Sequence, residues 1–118
     1  MSMQPINLRR FREASMGDEE FMGELIDIYL EDMPRQLQAL RAAVQNHDAA
    51  AAAATAHRLK GASGNMGADS LSALCNDVEV SSRDNKLDQL PNLMEAIGTE
   101  STRVREFLCA VKSRNFKE

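Results

Sequence analysis

Tryptophan is absent from this chain of 118 residues, tyrosine occurs once and phenylalanine four times, so aromatic residues make up only 4% of it. Strands draw on aromatic and β-branched side chains, and their scarcity beside abundant Ala, Leu, Met, Glu and Arg predicts an all-α fold. No apolar run approaches the roughly 20 residues that a membrane span needs, and the N-terminus has no signal-peptide core. No membrane insertion is expected, and the expected location is the cytoplasm. There are only two cysteines, Cys75 and Cys109, without metal-ligand spacing, and both read as small buried apolar residues in a reducing compartment. Two histidines and two scattered cysteines make no metal site. The formal net charge of −4 excludes the basic face that a nucleic-acid binder needs. A Gly-rich phosphate loop followed by Lys-Ser or Lys-Thr is also missing, so neither ATP binding nor another cofactor is expected.

What is present is helical patterning in a chain long enough for one domain, here 1–118, and too short for two. Residues 1–5 are expected to be frayed, and 6–13 to form a short helix carrying Ile6, Leu8 and Phe11. A long helix is predicted over 19–45, capped by Asp18, with Met22, Ile26, Tyr29, Leu30, Met33, Leu37, Leu40 and Val44 as one continuous stripe. Pro34 should kink it without ending it, because the stripe keeps its phase across the proline. Phe21, Leu25 and Ile28 make a second apolar strip, which can seat the short N-terminal helix or dock a partner. Further helices are expected over 49–66, 68–83 and 87–112. Leu71, Leu74, Cys75 and Val78 form the inner face of one, and Leu90, Met94, Ile97, Ser101, Val104, Leu108 and Val111 that of the other. Short connections between long amphipathic helices predict an antiparallel up-down four-helix bundle with an additional short N-terminal helix.

The helix at 49–66 is unlike the rest. Asp48 can cap it, and an alanine run follows, with the highest helix propensity available. On a helical wheel, Ala52, Ala56, Leu59, Ser63 and Met66 face a core. His57 points nearly the other way, with Ala50, Ala53, Ala54, Gly61 and Gly64 around it and Lys60 at its flank. A surface histidine on an alanine-rich helix is the ordinary explanation for such a position. That explanation leaves Gly61 and Gly64 unaccounted for, each costing about 1 kcal/mol relative to alanine. Clearance for another folded surface accounts for both. Gly67, to which positive φ is open, is a natural stop. His47 lies in the preceding turn and reads as structural or solvent-facing.

The run resembles the histidine-containing phosphotransfer (HPt) domains of two-component phosphorelays. Their pattern is matched by His57, Lys60, Gly61, Ser63, Gly67, Leu71, Cys75 and Glu79, with Val78 where Leu or Met is commoner. The resemblance implies a phosphocarrier, not an enzyme: His57 takes a phosphoryl group from one receiver-domain aspartate and passes it to another. Receiver domains, which bring their own Mg²⁺, and a hybrid sensor kinase are the implied partners. Lys60 would support the phosphoryl charge, and Gly61, Gly64, Ala53 and Ala54 would provide clearance. Ser63, facing the core, would hydrogen-bond back along the helix or hold a neighbouring side chain, and Glu79 would support the helix pair. Arg58 is a candidate rim contact with a partner, as are Phe21, Leu25 and Ile28. A dimeric sensor-kinase phosphoacceptor domain fits less well: Arg58 stands where those domains carry an acidic residue, and four core helices in one chain point to a monomer. The remaining alternative is a helical interaction module that docks receiver or kinase domains without transferring phosphate.

Overall fold

The computed structural model describes residues 4–114. Five α-helices follow in order: α1 Leu8–Ala14, α2 Glu19–Gln45, α3 Ala49–Asn65, α4 Asp69–Arg83 and, after a 3₁₀ turn over Leu87–Gln89, α5 Leu90–Arg114. No strand occurs among the described residues. α2, α3, α4 and α5 form an antiparallel up-down bundle in which α3 lies between α2 and α4, and α5 closes the ring between α4 and α2. No helix among the described residues is long and apolar enough to cross a membrane.

Local chemistry sets the helix starts. Asn7, Asp18 and Asp48 each accept a hydrogen bond from the backbone N–H three residues on, satisfying a first-turn amide that has no partner inside the helix. Asn7 also explains why the first helix begins at Leu8 and not at Ile6. Its side chain caps the helix while its own N–H donates to the Gly67 carbonyl at 2.7 Å, pinning the chain ahead of α1 to the α3–α4 turn. Ile6 is buried there and Pro5 is buried rather than frayed; residues 1–3 lie outside the described part. The last bundle helix starts at Leu90, because 87–89 are held as a 3₁₀ turn, and Pro91 falls in its first turn, where a missing N–H is harmless. α2 runs unbroken through Pro34.

The core follows the stripes. Met22, Ile26, Tyr29, Met33, Leu37 and Leu40 from α2 meet Ala52, Ala56 and Leu59 from α3, Leu71, Cys75 and Val78 from α4, and Ile97, Val104 and Leu108 from α5. Each large apolar side chain so buried contributes about 1.5–3 kcal/mol of transfer free energy. Cys75 is fully buried and desolvation pushes its thiol up to about 12. Cys109, expected to be buried, is exposed, because it lies off the stripe of Val104, Leu108 and Val111. The second α2 strip also departs from one expectation. α1 packs chiefly on α3 and is tied to the α3–α4 turn, so the strip is not its seat. Phe21 (40%) and Ile28 (63%) are left exposed, and only Leu25 is half-buried against the core.

Gly67 closes the α3–α4 turn with φ +77°, and a Cβ there would stand 2.5 Å from the Asn7 carbonyl oxygen. Both conformation and space demand glycine. Gly67→Ala is expected to destabilise the protein by about 2–3 kcal/mol, read as a lowered midpoint in chemical denaturation, with an unchanged midpoint refuting the tight turn.

Candidate functional site

α3 and α4 make the most extensive helix contact in the bundle, and their antiparallel register assembles the site. His57 stands opposite Glu79, Lys60 opposite Asn76 and Gly64 opposite Ser72. Ser72 locks that register by donating its hydroxyl to the Lys60 carbonyl at 3.0 Å.

The His57 side chain is 60% exposed, yet one edge of the ring is engaged: Nδ1 lies 3.0 Å from Glu79 Oε2. The Glu79 side chain is only 6% exposed and gathers two more cations. Lys60 Nζ is 2.8 Å from Oε1, and Arg83 Nη2 is 2.7 Å from Oε2. Lys60 also donates to Asn76 Oδ1 at 3.3 Å. A buried carboxylate is costly unless paired, and here the pairing wins. The Lys60 ammonium beside Glu79, aided by the His57 ring, holds its carboxyl below the usual value of 4.5, although burial pulls the other way.

The ring nitrogens then divide their roles. An ionised carboxylate can only accept hydrogen bonds, so Nδ1 carries the proton and donates it to Oε2. In the neutral imidazole Nε2 is left with the lone pair. The site therefore presents an oriented nitrogen nucleophile on an open helix face, with a lysine one turn away.

Its surroundings match the wheel in part. Gly61 is exposed, and a Cβ there would meet nothing within 4 Å; Ala54 and Arg58 are exposed too. Ala53, expected to clear space for His57, is instead buried (7%). Gly64 likewise serves packing: an added Cβ would lie 3.5 Å from Ser72 Oγ, and its carbonyl accepts from Arg10 at 3.3 Å. Ser63 is buried on the core side, its hydroxyl 2.7 Å from the Tyr29 hydroxyl. Burial raises the Tyr29 pKa, so that phenol stays neutral. Glu79, expected to brace the helix pair at a distance from His57, touches the ring directly.

Arg83 and Asn76 went unforeseen. A wheel of α4 would have flagged them: Ser72, Asn76, Glu79 and Arg83 recur at four, three and four residues, a polar strip flanking the buried Leu71, Cys75 and Val78. Among the described residues, no three His, Cys, Asp or Glu side chains are grouped to hold a metal ion.

The Hpt domain family matches residues 24–107. Histidine-containing phosphotransfer protein B (HptB) from Pseudomonas aeruginosa PAO1 superposes with a TM-score of 0.90 at 33% identity, covering 96% of this chain and 98% of that one. The HPT domain of a sensor hybrid histidine kinase from Shewanella is similar in fold, with a TM-score of 0.83 at 20% identity over 96% of this chain and 97% of its own. No curated protein sequence matches significantly. The chain belongs to the Hpt domain family, whose members are phosphocarriers in phosphorelays rather than kinases.

Proposed function

We propose that the chain relays phosphoryl groups on His57 Nε2 between aspartates of receiver domains. The observation that carries this reading is the Nδ1–Glu79 contact at 3.0 Å on an otherwise exposed ring. In the neutral ring it leaves the lone pair on Nε2, at the exposed edge, so attack on phosphorus then needs no separate base. Phosphoryl transfer asks mainly for in-line positioning and charge stabilisation. Lys60, half-buried and tethered by Glu79 and Asn76, supplies a cation one helical turn away that can turn to the phosphoryl oxygens as they arrive. Gly61, one turn beyond His57 on the same face, leaves the approach open. Arg58, Phe21 and Ile28 are exposed and available to a docking partner. We read the protein as a cytoplasmic monomer acting with receiver domains and a hybrid kinase. It would depend on them for phosphate, since the sequence carries no ATP-binding loop.

The reading is tested by mixing the protein with a receiver domain phosphorylated from radiolabelled acetyl phosphate. Acid-labile label is expected on the chain within the receiver's own lifetime. Label that never leaves the receiver, despite measurable binding, would leave only a docking module.

Clearance has its own test. Gly61→Gln meets open space and replaces a poor helix former, so it should raise stability by up to about 1 kcal/mol. Transfer should nevertheless slow at least tenfold, because the new side chain stands over the nucleophile. Unaltered transfer by the stabilised variant would show that Gly61 has no such role.

A further inference from the structure

Glu79 offers two oxygens, and its three partners do not share them evenly. Lys60 is on Oε1, whereas Oε2 takes both His57 Nδ1 at 3.0 Å and Arg83 Nη2 at 2.7 Å. Arg83 stands one turn beyond Glu79 on α4 and is itself 63% exposed. It lies on the oxygen that serves the imidazole, opposite the lysine. Two donors on one carboxylate oxygen compete for its charge, and the guanidinium is a full cation whatever the state of the ring.

The competition matters most once the ring is phosphorylated. The Nε2 lone pair attacks the phosphorus of an aspartyl phosphate, and the N–P bond forms as the P–O bond to the acyl oxygen breaks. The aspartate leaves as a carboxylate with that electron pair. Nδ1 keeps its proton, so the phosphorylated ring becomes cationic and faces Oε2. The charged groups about it are Glu79 and Arg83 from α4 and Lys60 and Arg58 from α3. An undivided carboxylate would stabilise this cation and make the phosphohistidine a reluctant donor.

Resting on the reading of His57 as the carrier, we propose that Arg83 is a positioning residue acting through Glu79. By holding Oε2 it limits how strongly the carboxylate stabilises the phosphorylated ring, and so keeps the phosphoryl group transferable in both directions.

The test is the equilibrium, not only the rate. Wild-type protein, Arg83→Gln and Arg83→Lys are each mixed with a receiver domain labelled from acetyl phosphate, and the partition of label is followed from both directions. Arg83→Gln should shift the equilibrium toward phosphorylated His57 about two- to fivefold, the scale of an ion pair whose cation stands in water. Arg83→Lys should return most of that shift. Long-range ¹⁵N spectra should show the Nδ1–H tautomer at least as dominant in Arg83→Gln as in the wild type. A merely structural arginine would change rates and leave the partition alone, and that result overturns the inference. A shift toward the receiver overturns it as well, since the guanidinium would then be stabilising the phosphoryl group itself. Wild-type protein that takes up no label defeats the carrier reading first, so the two failures are distinguishable.

Discussion

His57→Gln is expected to take up no label from a phosphorylated receiver at any concentration, while its helicity, stability and receiver binding stay near those of the wild type. The loss is complete because the amide of glutamine has no basic lone pair on nitrogen with which to form an N–P bond. The fold is spared because the ring is 60% exposed and belongs to no core contact, and exposed substitutions of this kind usually stay within about 0.5 kcal/mol. Glutamine can also still donate to Glu79, so the carboxylate need not lose that partner. The natural control is His47→Gln. His47 sits in the α2–α3 turn, exposed, with φ +56°. That variant should label normally. Label persisting on His57→Gln, or lost from His47→Gln, would move the phosphorylated residue elsewhere and end the present assignment.

Glu79→Gln should cut the transfer rate about 10- to 100-fold, the range lost when a group orienting a functional imidazole is removed. Glutamine is nearly isosteric, but its amide can donate as readily as accept. The ring is then no longer held with its proton on Nδ1, and Nε2 is no longer the obligatory nucleophile. Lys60 and Arg83 also lose their counter-charge. They are 30% and 63% exposed, so water can take them up, and removing one buried charge offsets part of the lost pairing. The variant should therefore fold, and the rate effect should exceed the stability effect.

Acid gives an independent check. Glu79 has its carboxyl below 4.5 in the folded protein, so the ionised form is favoured by folding. Its contribution to stability is present above the unfolded value near 4.5 and fades as pH falls through the folded one. Wild-type stability should accordingly decline faster than that of Glu79→Gln below about pH 4.5. Parallel declines, together with an unaltered transfer rate, would show that the carboxylate neither pairs nor orients as described.

How far the sequence alone marks these residues differs from one to the next. The α2 and α5 stripes were legible because burial follows the 3.6-residue period: Met22, Ile26, Tyr29, Met33, Leu37 and Leu40, and Ile97, Ser101, Val104 and Leu108, are buried as the spacing demands, with Leu30 half-buried at the edge. His57 and Gly61 were legible for a different reason, since helical glycine beside abundant alanine is locally unfavourable and asks for an explanation outside the helix. Ala53 and Gly64 were misread from the same wheel. A wheel gives direction about one axis but says nothing of which neighbouring helix lies there, and Ser72 of α4 stands beside Gly64. Glu79 was tied to His57 only by the family pattern and Arg83 was visible only as a charge on α4, because no helical period links either to a histidine more than twenty residues earlier.

That division is general for this chain. Helix content, the apolar faces, the caps at Asn7, Asp18 and Asp48, and the identity of one bare-faced histidine are local properties, carried by neighbours three or four residues apart. The register of α3 against α4 is not local: it is set by the Gly67 turn, the Ser72–Lys60 bond and the packing of two whole faces. Only that register brings Glu79 to Nδ1 and Arg83 to the same oxygen. It turns an exposed imidazole into one with a defined proton and a defined lone pair.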